Sequence, residues 1–378
     1  MPQVKGLIKG ENPRYQPWIV SEEELGPFTE WARNIPGFGT IQISTLIKTS
    51  YAQTLEFKGE ENFIAAVKDT HSDQYCGMCL VSKKEVAFGD KIEKTAYLSS
   101  LYVEPRKRKG VIFGLLFRML PLLTNDCTGC LVTVMADNEE VVKILQLGKG
   151  GSPVFKDLGF LHTLVFHPRK IASFENPEKL EISTALPDDI KALTAFWKRE
   201  MANRLFSPHY LEKHIATRGG LLRGLNVNDF FIARAGGQIV GSIAVWNQNA
   251  TKSWVVKSYP PMVKIMRLLI NLFAKFRGVP TLPSINEPLD YRMIALLCIN
   301  ENDPHVLRAL LNMVKKHFQH HEQPVLAMGL HERDPLLKSI HFPYFLMKSK
   351  VLFALTPSDT EYEATFENLV PYLELGSL

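Results

Sequence analysis

The sequence has 378 residues, of which 46% are hydrophobic and 22% charged, and 44 basic against 39 acidic residues leave a net charge of +5. This length suits two domains of average size, and the composition is that of a globular protein. The charge is too small to require a nucleic-acid or anionic membrane partner. The start of the chain does not resemble a signal peptide, and no apolar stretch of about 18 residues occurs. The sequence therefore predicts a cytoplasmic protein.

The five cysteines are an odd number and include two C-x-x-C pairs, Cys76/Cys79 and Cys127/Cys130. A structural zinc site needs four thiolates that converge from tight turns. Both pairs instead lead into strand-like apolar runs, in which residues three apart point to opposite faces. The separation between the pairs also exceeds that of a zinc ribbon. We therefore predict buried or half-buried thiols and no metal.

In the first half of the chain, prolines and glycines predict irregular structure over residues 13–39. Beyond that segment, apolar runs predict strands, and 3.6-residue periodicity predicts helices. Strands are expected over residues 62–68, 75–82, 95–103, 130–135 and 160–166. Helices are expected over residues 111–123 and 138–145.

A polar segment with two prolines, residues 167–179, predicts a break in the chain. The second half then repeats the order of elements in the first. Strands are expected over residues 180–183, 230–235, 239–246, 293–299 and 325–329. Helices are expected over residues 188–200, 261–276 and 304–318. The repetition predicts an α/β protein with a mixed sheet covered by helices, in two tandem domains of residues 1–170 and 171–378.

The most informative segment joins the strand of residues 95–103 to the helix that follows. Four consecutive cations, Arg106, Lys107, Arg108 and Lys109, precede Gly110 at the helix start. Cations are unfavourable at the positive end of a helix dipole, but an anion bound by the free amides would reverse that effect. The segment thus predicts a diphosphate site. A solvated charge run is an open alternative, and a nucleic-acid patch is disfavoured by the lack of interleaved aromatic residues.

This segment resembles the coenzyme-A-binding motif of the GNAT acetyltransferase superfamily, V-x-P-x-x-(Q/R)-x-x-G-x-(G/A). Val103, Pro105 and Gly110 fit the motif, with Arg108 or Lys107 in the Gln/Arg role. The turn is one residue shorter than usual, and an isoleucine occupies the second small position. Further GNAT-like features are an asparagine after the next strand and the K-D-L-G-F run of residues 156–160. The second half resembles the family more weakly.

The resemblance implies a transferase that moves an acyl group from acetyl-CoA, or another acyl-CoA, to an amine of a small molecule or protein. It implies that the coenzyme contacts the strand end, the basic turn, the first helical residues and the next helix start. These positions are Leu101, Tyr102, Val103, Arg106, Lys107, Arg108, Lys109, Gly110, Val111, Ile112 and Asn138.

Two positions at which the family frequently has proton-transfer groups carry other residues in this sequence. The position of the family's frequent tyrosine acid reads Leu145, and that of its frequent glutamate base reads Ser99 or Ser100. Strand alternation places Ser100, Tyr102 and Glu104 on one face, so these three are the catalytic candidates. Proton transfer through water, with catalysis by positioning, is the alternative.

The corresponding turn of the second half, residues 298–307, contains no glycine and presents Glu301 and Asp303 where the first half has cations. Asp303 followed by Pro304 is a self-sufficient helix start. Carboxylates there would repel coenzyme phosphates. We therefore predict one coenzyme per chain, bound in the first half.

Two features of the second half have structural interpretations. Three histidines near the end of the helix at residues 304–318 suit the helix dipole better than a metal site: His317, His320 and His321. Residues 263–277 are amphipathic, and we predict an apolar stripe that faces the core rather than a membrane. The polar side of that pattern contains Lys264, Arg267, Asn271 and Lys275.

Two other functions compete with acyl transfer. The missing tyrosine and the altered turn are consistent with a non-catalytic protein that binds or senses acyl-CoA. Tandem GNAT-like domains also occur in enzymes that use aminoacyl-tRNA, although no nucleic-acid or membrane partner is expected. The sequence leaves the acceptor and the oligomeric state open.

Overall fold

The structure is a computed structural model that describes residues 13–36, 41–107, 110–173, 180–215, 219–277, 280–319, 324–355 and 363–378. The strands are β1 Tyr15–Ile19, β2 Gln42–Ile47, β3 Glu61–Asp69, β4 Gln74–Phe88, β5 Lys91–Val103, β6 Gly129–Met135, β7 Lys156–Phe166, β8 Glu181–Thr184, β9 Arg204–Pro208, β10 Phe230–Ala235, β11 Gln238–Trp246, β12 Lys252–Ser258, β13 Tyr291–Ile299, β14 Val325–His331, β15 Phe345–Leu355 and β16 Val370–Pro371. The α-helices are α1 Leu25–Arg33, α2 Tyr51–Leu55, α3 Val111–Leu123, α4 Glu139–Gln146, α5 Ile190–Met201, α6 Pro261–Arg277, α7 Pro304–His317 and α8 Glu363–Asn368.

Most of the strands form one 14-stranded mixed sheet. Its order is β1-β3-β4-β5-β6-β15-β7-β14-β13-β11-β10-β8, and β9 and β16 join it beside β4. The pairs β5–β6 and β13–β14 are parallel, and each is connected by a helix, α3 or α7. A separate antiparallel pair joins β2 to β12. The predicted α/β class with a mixed sheet is confirmed.

The two halves of the chain interlock through β7 and β15. The late strand β15 lies between β6 and β7, antiparallel to both. β7 in turn lies between β15 and β14. The buried imidazole of His331, at the end of β14, bonds through Nε2 to the carbonyl of Leu158 in β7 at 2.9 Å. The two domains predicted from the sequence, residues 1–170 and 171–378, would therefore contribute neighbouring strands to one sheet.

Helix α3 covers one face of the first half because its apolar residues recur at helical spacing. Ile112, Leu116 and Leu120 are buried there against residues of β3 to β6. In the second half, α7 packs in the same way, with Val306 and Leu310 in the core. Each half thus places a helix on the sheet directly after a strand of a parallel pair.

All five cysteines are buried. Cys76 and Cys79 pack in one cluster with α3, so the prediction that they point to opposite faces is wrong. The reason is a bulge in the β3–β4 pair, where Cys76 is the extra residue and shifts the alternation. Burial raises the pKa of the Cys79 thiol to about 12, which disfavours the thiolate that a metal needs. In the described part of the chain, no group of three or more His, Cys, Asp or Glu residues is arranged to hold a metal.

Residues 13–39 were predicted to be irregular, but β1 and α1 lie within them. Aromatic side chains explain the order. Phe28 is fully buried, and its ring contacts those of Trp31 and Tyr51 at centroid distances of 5.6 and 5.3 Å. Burial of these large rings stabilises the segment despite its prolines and glycines.

Helix α6 has the predicted amphipathic pattern, but the predicted orientation is wrong. Ala274 is the buried residue of this helix, and its large apolar side chains are exposed. The Arg267 guanidinium donates to the carbonyl of Pro283 at 2.9 Å, and the Asn271 amide both donates to and accepts from the backbone of Leu282. Arg267 and Asn271 therefore face the protein, where they supply partners for backbone groups, whereas Lys264 and Lys275 are exposed. Among the predicted histidines, His320 and His321 lie outside the described residues, and His317 packs against aromatic rings.

Candidate functional site

An opening lies between the parallel strands β5 and β6. They pair only from Thr95 to Leu98 on β5, opposite residues 129–132 on β6, although both strands continue. Ser100 has a φ of 53°, and the register of β5 against β4 shifts at this point, so a bulge turns β5 away. We call the gap between residues 99–103 and 133–135 the first notch. It opens at the carboxyl ends of adjacent parallel strands, where α/β proteins commonly bind ligands.

Helix α3 begins beside the mouth of this notch. Its N-cap is Gly110, with a φ of 85°, and no side chain of the described residues caps the helix. Apart from the neighbouring residues and the helix backbone, no described atom lies within 4 Å of the position that a Cβ of Gly110 would occupy. The first amides of a helix have no intrahelical acceptor, so this helix start can accept an anion.

The isoleucine at the second small position of the motif does not cover these amides. Ile112 is fully buried and points into the core, whereas Val111 is exposed. Gly77 of β4 makes the room, because a Cβ there would lie 2.5 Å from Cγ2 of Ile112. A glycine on the neighbouring strand thus takes the place of a small residue on the helix.

The cations of the turn differ in their contacts. Arg106 is exposed. The Lys107 Nζ lies 3.0 Å from Oδ2 of Asp69 and 3.4 Å from Oε2 of Glu104, so this lysine joins the turn to the end of β3. The hydrogen bond from Lys107 lowers the pKa of Asp69 to about 2. Arg108 and Lys109 lie outside the described residues.

The other predicted coenzyme residues surround the same opening. Leu101 and Val103 pack against the cluster under α3, and Tyr102 packs on the opposite side of β5. Asn138 is the N-cap of α4, which follows β6, so it lies at the same edge of the sheet as the turn.

A glycine-rich loop, residues 148–151, also lies against α3. Three of its glycines have positive φ, and the carbonyl of Gly150 is 3.2 Å from where a Cβ of Gly114 would stand. This loop therefore borders the first turns of the helix.

The three catalytic candidates have different surroundings. Ser100 lies near Tyr51, a buried side chain whose pKa burial raises. The Tyr102 ring contacts Trp31 at a centroid distance of 6.0 Å, within an aromatic cluster. Glu104 forms the ion pair in the turn. Sequence reasoning missed Tyr51 because its partner is 49 positions away along the chain, and no local pattern links the two.

The second half contains a matching opening, which we call the second notch. β13 and β14 pair only over residues 291–294 and 325–328. Leu296 of β13 has a positive φ of 48°, and it resembles Ser100 of β5 in this respect. Here, however, the chain itself fills the bulge. The buried carboxylate of Glu374 accepts hydrogen bonds from the Leu296 amide and the Tyr372 hydroxyl, both at 2.8 Å, and from the Gly376 amide at 3.2 Å.

The helix start beside the second notch is also occupied, as the sequence predicted. The Asp303 carboxylate accepts from the amide of His305 at 2.7 Å, and Pro304 is the first helical residue. The preceding Glu301 has a φ of 53°. The two notches are thus alike in backbone, but a side chain caps the helix start beside the second, and none of the described side chains caps the one beside the first.

Comparisons with known proteins agree with this architecture. No family model matches the sequence, and no curated protein does. The chain is similar to the GCN5-related glucosamine N-acetyltransferase region of a fungal multi-domain β-N-acetylglucosaminidase, with 11% identity and a TM-score of 0.59 over 90% of this chain and 38% of that one. It is also similar to a conserved protein of Enterococcus faecalis described as a probable N-acyltransferase, with 8% identity and a TM-score of 0.51 over 90% of this chain and 72% of that one.

A GCN5-related N-acetyltransferase from Kribbella flavida matches with 12% identity and a TM-score of 0.45, over 78% of this chain and 60% of that one. The chain therefore spans less than two thirds of the length of two of these three proteins. At such identities the likeness concerns the fold. This chain has the fold of the GCN5-related N-acetyltransferases, the GNAT fold.

Proposed function

We propose that this chain is an acyl-CoA-dependent N-acyltransferase that transfers an acetyl or other acyl group to an amine in the first notch. The GNAT fold supports this class of reaction. The observation that carries the proposal is the contrast between the notches. Beside the first, the helix start at Gly110 follows a cationic turn and is capped by none of the side chains that the structure describes, whereas the second contains Glu374 and the cap Asp303.

In this proposal the diphosphate of acyl-CoA binds the amides at residues 110–113. Arg106, Arg108 and Lys109 add charge-assisted contacts, which are stronger than neutral hydrogen bonds. Lys107 has a different role, because its contact with Asp69 holds the turn against β3. The pantetheine arm would run along residues 101–103, which places the thioester near the bulge, and Asn138 would border the coenzyme from the other strand. One coenzyme would bind per chain, in the half that contains residues 1–170.

The reaction needs a nucleophile, an oxyanion site and a route for one proton. The nitrogen of the neutral amine attacks the thioester carbon, and the carbonyl oxygen becomes an oxyanion that a backbone N–H at the bulge stabilises. The C–S bond then breaks, and coenzyme A leaves as its thiol. The proton lost by nitrogen is the proton gained by sulfur, so no net proton enters or leaves the site.

Ser100 is the best placed of the three catalytic candidates for that proton transfer. Its hydroxyl can accept the proton from nitrogen while it gives its own to sulfur. We assign Tyr51 a positioning role, since it is buried near Ser100 and its raised pKa keeps it protonated. Tyr102 and Glu104 have contacts suited to packing and to holding the turn, so we assign them supporting roles.

A non-catalytic acyl-CoA-binding protein is the second candidate. The observation that favours it is Leu145, which is 1% exposed in the core where the frequent tyrosine acid of the family would stand. Such a protein would bind coenzyme A in the same notch without turnover.

Thiol release from acetyl-CoA, measured with a panel of small amines and lysine peptides, separates the two functions. Calorimetric titration with coenzyme A measures binding in parallel. Ser100→Ala should lower kcat by about tenfold or more with little change in coenzyme affinity, and Ser72→Ala, at an exposed serine, should change neither. Binding without turnover would favour the second candidate. Absence of both binding and turnover would overturn the proposed site.

A further inference from the structure

Helix α6 presents an apolar face to solvent. Six of its largest side chains are exposed, among them Phe276 at 90%, Ile265 at 82% and Leu268 at 79%; the others are Leu269, Leu272 and Phe273. Single exposed apolar residues are ordinary, but a contiguous patch of this kind marks an interaction surface.

Polar contacts fix this orientation. Arg267 and Asn271 bind the backbone of residues 282 and 283, on the side of the helix opposite the exposed face. At about 100° per residue, Ile265, Leu272 and Phe276 lie in the middle of that face. The helix is therefore held to the protein by its polar side.

The charges of α6 are all of one sign. Its 17 residues include Lys264, Arg267, Lys275 and Arg277 and no acidic residue. The whole chain carries a net charge of only +5, so this helix is a local concentration of positive charge. On the helical projection, Lys264 and Lys275 border one edge of the apolar face and Arg277 borders the other.

We propose that α6 docks the protein on an anionic lipid surface. The helix would lie in the plane of the interface, with Leu268, Leu272 and Phe276 among the acyl chains and the bordering cations at the phosphate level. A basic amphipathic helix with leucine and phenylalanine on its apolar face has the chemistry for this arrangement. Within the described residues, no helix is long and apolar enough to cross a membrane, so the contact is peripheral.

The charge pattern favours lipid over a second copy of the chain. In a two-fold dimer built on α6, the bordering cations of one helix would face those of the other. The face is also small, about 25 Å long for 17 residues and about 10 Å wide, below the ~800 Å² per partner of a standard protein interface. An anionic bilayer satisfies both the apolar face and its cationic edges. This inference is independent of the proposed acyl transfer.

Co-sedimentation of the full chain with vesicles tests the proposal. Phosphatidylcholine vesicles with and without phosphatidylserine are compared at low and high salt. We expect binding to the anionic vesicles, weakened by salt. Leu268→Ser with Phe276→Ser should abolish it, and Lys264→Gln with Lys275→Gln should weaken it by about fivefold per lysine.

The matched control carries Leu186→Ser and Lys316→Gln, at exposed positions away from α6, and should bind as the wild type does. Circular dichroism confirms that the variants are folded, which is expected because the replaced side chains are exposed. No vesicle binding, equal binding to neutral vesicles, or unchanged binding by the α6 variants would overturn the proposal. A dimer that light scattering detects without lipid, and that the α6 substitutions dissociate, would also overturn it.

Discussion

The packing of Gly77 beneath α3 gives a sharp test of how the first notch is built. A Cβ at this position would lie 2.5 Å from Cγ2 of Ile112 and 3.3 Å from the carbonyl oxygen of Tyr102. Carbon atoms pack at about 3.5–4 Å, so Gly77→Ala must move Ile112, and with it the first turn of α3, by about 1 Å.

The magnitude follows from the packing of the core. Overpacking costs about 1–3 kcal/mol, and we expect Gly77→Ala to lower the free energy of unfolding by that amount. Ile112→Ala should cost about 2–5 kcal/mol, because it removes buried methyl groups and leaves a cavity. In the double variant the added methyl group meets space instead of Cγ2. The combined loss should therefore be smaller than the sum by about 1–3 kcal/mol.

Urea unfolding of the wild type, the two single variants and the double variant measures this coupling. Gly26→Ala is the control, because nothing lies within 4 Å of a Cβ at that position in α1, and it should be neutral or slightly stabilising. Gly77→Ala should also weaken coenzyme A binding, since it displaces the helix start. Additive losses in the free energy of unfolding would show that a methyl group at position 77 does not compete with Ile112 for the same space.

Three further substitutions test other parts of the structure. Glu374→Ala leaves the amide of Leu296 and the hydroxyl of Tyr372 without their buried acceptor. The free energy of unfolding, measured in urea, should therefore fall by about 2–4 kcal/mol. An unchanged free energy of unfolding would contradict the contact. Burial lowers the pKa of His331 to about 4, against about 6.5 in an unfolded chain, so the unfolded state binds the extra proton between these values. Wild-type stability should therefore fall between pH 6.5 and pH 4 more steeply than that of His331→Gln, and equal pH dependence in urea unfolding would contradict the assignment. Gly159 has a φ of 100°, and a Cβ there would lie 2.2 Å from the Glu332 carboxylate. Gly159→Ala should therefore lower the free energy of unfolding by about 1–3 kcal/mol. A rise in the thermal midpoint of unfolding would contradict this expectation.

Local patterns in the sequence predicted the elements that form the first notch. The helix expected over residues 111–123 is α3 with the same bounds, because an apolar stripe and a glycine define it locally. Asp303 was correctly predicted as a cap, since capping depends on residues two or three positions apart. The alternation used to place Ser100 and Tyr102 on one face did not take account of the bulge at Ser100, which shifts the register of β5.

Contacts between distant residues could not be predicted in this way. β15 was missed because its place between β6 and β7 depends on pairing across much of the chain. The Glu374 contact joins residues 78 positions apart, and Gly77 shows its role only beside Ile112. The orientation of α6 was predicted wrongly because periodicity shows that a helix has two faces but not which one the protein covers.

Binding of coenzyme A to variants of the cationic turn tests whether this turn and the start of α3 form the coenzyme site. Calorimetric titration would compare the wild type with a variant carrying Arg106→Ala, Arg108→Ala and Lys109→Ala. Its control carries three exposed lysine-to-alanine changes in the second half, at Lys191, Lys198 and Lys213. At about 1 kcal/mol for each charged contact, we expect one site per chain and about 100-fold weaker binding in the turn variant, with the control unchanged. Equal affinity in the wild type and the turn variant would contradict it.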